Sequence, residues 1–329
     1  MEMLDGVLCV NYTLSPESQR PLRAIVDTGS PFLIIPTVCT RAWGCPSSAE
    51  LSNLNFDCGL KDTTEIYGGQ EFDTRWALLE KGLTPLHKSI TNKGDVPRFI
   101  TAGTDSAIVA TVGRDIMLPP GGVFFGLIKY RDPRYVNPTF LGQTNIRSIE
   151  MDLRSEKKWL TLSTRARISR ISPRAINMFD MRVLGDSVFH YAARVKNVLI
   201  NGKSITDEMP MATAVYAVFD TGTSGCAIHD VLYFGENMPL PVRRVDVVLE
   251  NTLGEDVVLS AKASREDLFI VTPSKIPWFS KKLNKHPESL PAYDDNGKFE
   301  PKVIVLGISF FKGKRLTIDV DEKLIELSA

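Results

Sequence analysis

Short apolar runs rich in Val, Ile, Leu and Phe alternate along the chain with clusters of Gly, Pro, Asn and Asp. A rhythm near period two, punctuated by turn residues, predicts strands. Helical periodicity is confined to short pieces such as Ile228 to Phe234. GVLCVNYTL, SPESQRP and LRAIVD read as strand, turn and strand, and YAARVKNVLI, NGKS and AVFD repeat that order in the second half. Asn201-Gly202 is a strong hairpin signal, because both residues tolerate the positive φ that a tight primed turn requires. The expected fold class is therefore mostly β.

A second internal match closes each half. FLGQTNIRSIEMDLRSEKKWLTLS (Phe140 to Ser163) and VLGISFFKGKRLTIDVDEKLIELS (Val305 to Ser328) both carry an apolar pair, a glycine, an apolar strand with Asp, a charged turn and a final strand. Such a repeat predicts two homologous halves, 1–165 and 166–329, joined near Thr164 to Pro173. Two glycines compete for the end of the first half, in FFGL (Phe124 to Leu127) and in FLG (Phe140 to Gly142). The second is preferred because the sequence after it recurs. Residues 79–99 and 280–301 are polar, with Pro and Gly, and read as long surface loops.

Composition narrows the function classes. The chain has 329 residues and 43% hydrophobic content, enough for a sizeable core. Lys plus Arg equals Asp plus Glu at 39 each, so no net field favours nucleic acid or an anionic membrane. No apolar stretch approaches the roughly 20 residues of a membrane helix. The opening MEMLDGVLCVNYTL lacks the basic and apolar regions of a signal peptide. Five cysteines are an odd and scattered set; Cys39 and Cys45 either close a short loop or remain separate thiols. The four histidines, His87, His190, His229 and His286, form no metal-ligand pattern, and no Gly-x-Ser-x-Gly elbow is present.

One chemistry stands out. Asp-Thr-Gly occurs at Asp27-Thr28-Gly29 and again at Asp220-Thr221-Gly222, each time after an apolar run and before a hydroxyl residue, Ser30 or Thr223. A single occurrence is expected by chance in roughly one chain in fifteen of this length, and two matching ones far less often. Two carboxyls brought close together share a proton, because the second negative charge is repelled at short range. The paired motif thus supplies a general acid and a general base in one site. Glycine after Asp-Thr lets backbone approach the carboxylate and offer an N–H.

These residues resemble the pepsin-like aspartic proteases. The resemblance covers most of the chain: VDTGS at Val26 to Ser30, FDTGTS at Phe219 to Ser224, VLINGKSI at Val198 to Ile205, and VIVLGISFF at Val303 to Phe311. It implies a bilobal fold of two pseudo-symmetric, β-barrel-like lobes with a cleft between them. It also implies catalytic roles for Asp27 and Asp220, supported by Thr28, Gly29, Ser30, Thr221, Gly222 and Thr223. By the same resemblance Thr28 and Thr221 cross-link the two loops, and Ser30 and Thr223 bond the outer carboxylate oxygens. IYGGQEF (Ile66 to Phe72) is similar to the tip of the family's substrate-covering flap, which assigns Tyr67, Gly68 and Gly69 to substrate binding.

The implied activity is endopeptidase cleavage of an extended peptide or protein, with apolar residues around the cut bond. No cofactor or metal is implied. Both half-sites lie in one chain, so a monomer is expected. A removed leader would imply a secretory or vacuolar location, and a complete chain an intracellular one. Two departures stand out: Ile34 occupies the place of a tryptophan that bonds the flap tyrosine, and Ile308 follows the second-half glycine where aspartate is common. The alternative is a catalytically weak or silent peptide-binding protein on the same scaffold.

Overall fold

The computed structural model describes residues 1–4, 6–14, 21–40, 42–67, 70–79, 84–85, 107–112, 123–207, 214–229, 242–262, 271–274 and 302–329. Most of the two long polar segments lies outside them. So do Gly68 and Gly69, while Tyr67 ends a described strand. The fold is mostly β, with two curled half-barrel sheets.

Each half is built around one three-strand unit. In the first, Leu22–Asp27 pairs antiparallel with Val7–Thr13 and parallel with Phe124–Gly126. In the second, Val215–Phe219 pairs antiparallel with Ala192–Ile200 and parallel with Lys302–Leu306. All the residues of Val215–Phe219 are buried, as expected of a central strand covered on both faces. Asn201 and Gly202 take φ of 52° and 85° in the turn joining Ala192–Ile200 to Lys203–Ser204.

The two closing hairpins meet in one five-stranded sheet, ordered Trp159–Ser163, Ser148–Asp152, Arg315–Asp319, Leu324–Ser328, Ala175–Asn177. Equivalent strands of the internal repeat, Ser148–Asp152 and Arg315–Asp319, pair antiparallel with Glu150 opposite Thr317. The connector between halves is anchored to this sheet. Asp319, itself fully buried, accepts the N–H groups of Arg167 at 2.7 Å and Ile168 at 2.6 Å.

Two expectations are corrected. Of the run Ile228 to Phe234, residues 228–229 lie in the strand Cys226–His229, paired with Lys302–Leu306 on one side and Val271–Ser274 on the other, and residues 230–234 lie outside the described residues. A short apolar run buried between strands carries no periodic signal that separates strand from helix. The glycine that closes the first half is Gly126, not Gly142. Phe124–Gly126 lies beside the first Asp-Thr-Gly strand, with Gly126 opposite Asp27, whereas Gly142 sits in a 3-10 turn, Leu141–Gln143.

Candidate active site

The first aspartate ends an almost wholly buried strand, Leu22–Asp27, and the second follows Val215–Phe219 directly. In both halves the chain then turns across the neighbouring apolar-apolar-Gly segment. Gly126 N–H donates to Phe32 O at 3.0 Å, and Gly307 N–H donates to Gly225 O at 2.9 Å. Ile128 and Ile308 N–H groups bond Ser30 O and Thr223 O at 3.0 and 2.8 Å. A Cβ at Gly126 would fall 2.4 Å from Phe32 O, and one at Gly307 would fall 2.3 Å from Thr223 O. Only glycine lets these backbones cross so closely.

The two loops are cross-linked by their threonines. Thr28 N–H donates to Thr221 Oγ1 at 3.1 Å, and Thr221 N–H returns to Thr28 Oγ1 at 3.0 Å. Each hydroxyl then donates to the backbone of the opposite strand, Thr28 to Phe219 O at 2.7 Å and Thr221 to Val26 O at 2.6 Å. Both threonines are fully buried, so each side chain is satisfied as donor and as acceptor where water cannot substitute.

The carboxyls sit in matching frames above this link. Gly29 N–H donates to Asp27 Oδ1 at 2.7 Å and Gly222 N–H to Asp220 Oδ1 at 2.8 Å. The Ser30 hydroxyl donates to Asp27 Oδ2, and the Thr223 hydroxyl to Asp220 Oδ2 at 2.7 Å. Each glycine lies against the opposite aspartate: a Cβ at Gly29 would be 2.7 Å from Asp220 Cγ, and one at Gly222 would be 2.6 Å from Asp27 Cγ. The two carboxyls hydrogen-bond each other.

Burial, then the Asp220 charge and the hydrogen bond with Asp220, push the Asp27 carboxyl well above the ordinary carboxylate range; Ser30 and Gly29 oppose this incompletely. The pair therefore retains a proton at pH values where an isolated aspartate has lost it. A retained proton beside an ionised oxygen can hand protons in both directions to a bound reactant.

Tyr67 is the last residue of Thr63–Tyr67, which pairs antiparallel with Gln70–Leu79. At the base of this hairpin Trp76 Nε1 donates to Thr63 Oγ1 at 2.9 Å, and the Trp76 ring meets Phe32 edge-on at 4.8 Å. Ile34 is fully buried in Ile34–Pro36, which pairs parallel with Ala107–Val112. Ile308 is also buried, at the start of a short helix, Ile308–Phe311.

A further group at the site was not singled out from the sequence. His190 is buried and bonds Asp186 through Nδ1. Its scattered position among four histidines carried no spacing signal. Cys39 and Cys45 are disulfide-linked, and Cys58 and Cys226 are free thiols. Among the described residues no cluster of His, Cys, Asp or Glu could hold a metal ion, and no helix is long and apolar enough to cross a membrane.

No protein-family model matches this chain, and no curated protein matches it.

Proposed function

We propose that the chain is a pepsin-like aspartic endopeptidase, with Asp27 and Asp220 as its catalytic pair. The observation that carries this reading is the hydrogen-bonded pair of carboxyls in matching Gly and hydroxyl frames, one from each half. A frame that fixes both oxygens of both carboxyls pre-organises them for proton transfer, and the buried Thr28–Thr221 link keeps them in register.

In the proposed reaction the ionised carboxyl takes a proton from a water held between the pair as the water oxygen attacks the scissile carbonyl carbon. The protonated carboxyl donates to the carbonyl oxygen. The tetrahedral diol then collapses: the C–N bond breaks, a proton passes to the leaving nitrogen, and a carboxylic acid and an amine are released. No covalent enzyme intermediate forms. The substrate is an extended peptide bound by strand-like backbone hydrogen bonds, with apolar side chains in alternating pockets. Tyr67, Gly68 and Gly69 are assigned to substrate binding by the resemblance of their sequence to the family's flap.

The buried Ile34 favours a second reading. An aliphatic side chain cannot donate a hydrogen bond to Tyr67, and a flap without that bond fits a weak or silent peptide-binding protein. Cleavage of a mixed peptide library from about pH 3 to 7 separates the two. Under the endopeptidase reading Asp27→Asn and Asp220→Asn each reduce the rate by roughly 10²-fold to 10⁴-fold or more, in folded protein. Folded wild type that cleaves nothing across that range overturns the endopeptidase reading.

A further inference from the structure

The strip 186–191 of the second half is stitched to 127–132 of the first. Phe189 N–H donates to Tyr130 O and Asp132 N–H to Ser187 O, both at 2.8 Å. Arg131 and Val188 form a bridge, and the Tyr191 hydroxyl donates to Leu127 O. His190 is carried on this strip, 8% exposed, and so is held from both halves.

Its hydrogen bonds define its state. Nδ1 faces Asp186 Oδ2, and the other Asp186 oxygen accepts the Val188 N–H at 3.2 Å, which fixes that carboxylate, itself 3% exposed. The ring also bonds the backbone of Gly29, the residue whose N–H holds Asp27. A ring held against a buried carboxylate is favoured as the imidazolium, and Tyr191, next on the strip, accepts the N–H of Phe219, the residue before Asp220, at 2.9 Å.

Several charges reach this ring. Asp186 lies on its own strip and Asp220 comes from the second Asp-Thr-Gly loop. The Arg182 charge acts on Asp186 from the turn Met181–Leu184. Burial alone would push the His190 pKa down, but Asp186, Asp220 and the Gly29 bond outweigh it and hold the ring above its ordinary 6.5.

We propose that His190, clamped by Asp186, is a positioning residue of the aspartate pair: a buried cation that fixes the Gly29 peptide and favours the pair's ionised state. The catalytic consequence rests on the endopeptidase reading, whereas the charge coupling between His190 and Asp220 does not. Without the cation, the pair's first ionisation, and with it the acid limb of kcat/KM, moves to higher pH. A unit charge acting on a buried, partly screened pair is worth about one pH unit.

The test has two arms. In the first, side-chain NMR follows His190 through a pH titration in the wild type, Asp220→Asn and Asp186→Asn. His190 titrates above 6.5 in the wild type, and lower by about half a unit or more in each variant. An unchanged midpoint in Asp220→Asn overturns the proposal whether or not the protein cleaves peptides. In the second, the pH profiles of His190→Gln and His190→Asn are compared with wild type. An acid limb raised by about one unit supports the role, and an unmoved limb with lowered kcat alone reduces His190 to structure and overturns it. Absence of cleavage in wild type defeats the endopeptidase reading and leaves the first arm decisive.

Discussion

Thr28 and Thr221 exchange backbone N–H to hydroxyl bonds at 3.1 and 3.0 Å, so the two Asp-Thr-Gly loops hold each other from below. Neither threonine contacts a solvent that could replace its partner, since both are fully buried. The link joins positions 193 residues apart and draws strands of the two halves into one site.

Thr28→Val or Thr221→Val keeps the shape and removes the hydroxyl, leaving a buried N–H and a buried carbonyl unpaired. Each change is expected to cost about 1–3 kcal/mol in urea unfolding. The double variant is expected to cost less than the sum, with a coupling of about 0.5–3 kcal/mol, because either single change already breaks the exchange. Additive losses would mean that the two bonds act independently.

Gly29→Ala places a Cβ 2.7 Å from Asp220 Cγ, and Gly222→Ala one 2.6 Å from Asp27 Cγ. The carboxyl must move, and overpacking of this kind costs about 1–3 kcal/mol. Peptide cleavage is expected to fall far more than stability, by about 10²-fold, because a displacement near 1 Å spoils a pre-organised proton transfer. Circular dichroism and cleavage rates on the same samples check this.

Much of the site was legible because its chemistry requires fixed residue types within a few positions. Asp, Thr, Gly and a hydroxyl must follow one another for one loop to supply the carboxyl, the cross-link, the N–H and the outer-oxygen donor. The β class was legible for a similar local reason, through alternation and the Asn201-Gly202 turn.

What escaped the sequence depends on contacts through space. Gly126 is defined by its approach to Phe32 O and Ser30 O, and nothing next to it in the chain marks that approach. In the second half the closing glycine, Gly307, is followed closely by Arg315–Asp319; in the first, residues 127–147 intervene before Ser148–Asp152. The repeated hairpin therefore pulled the assignment to Gly142. His190 escaped for the same reason, since its partners Asp186 and Gly29 come from different halves.

The fold is expected to be most stable on the acid side of neutrality. Asp27 and His190 both have raised pKa values in the folded chain. Their stabilisation is complete below the unfolded values, 3.8 and 6.5, and is lost as pH rises through the folded ones. Asp132 and Asp152 act oppositely: hydrogen bonds from Arg134 and Arg154 hold them down to about 2, so their contribution is lost as pH falls from 3.8 toward that value. Solvent screening keeps that acid-side term small. Urea unfolding from about pH 3 to 8 should show stability declining toward neutrality, with a flatter decline in Asp27→Asn.

Gly126→Ala and Gly307→Ala bring a Cβ to 2.4 and 2.3 Å of backbone oxygens that no rotamer change can move. Both are expected to destabilise by at least about 1–3 kcal/mol, as overpacking against rigid neighbours does. Gly313→Ala, where no atom lies within 4 Å but φ is +73°, serves as the control for left-handed strain alone, about 1 kcal/mol. Thermal unfolding of the three variants ranks them.

The most direct measurement is calorimetric binding of a statine-type peptide, whose hydroxyl mimics the tetrahedral diol, against the matched plain peptide. A pair poised for the diol binds the mimic at least about 10²-fold more tightly, since catalysis is preferential binding of the transition state. That preference should disappear in Asp27→Asn and Asp220→Asn. Equal affinity for the two peptides in folded wild type would contradict the assignment of Asp27 and Asp220 as a water-activating pair.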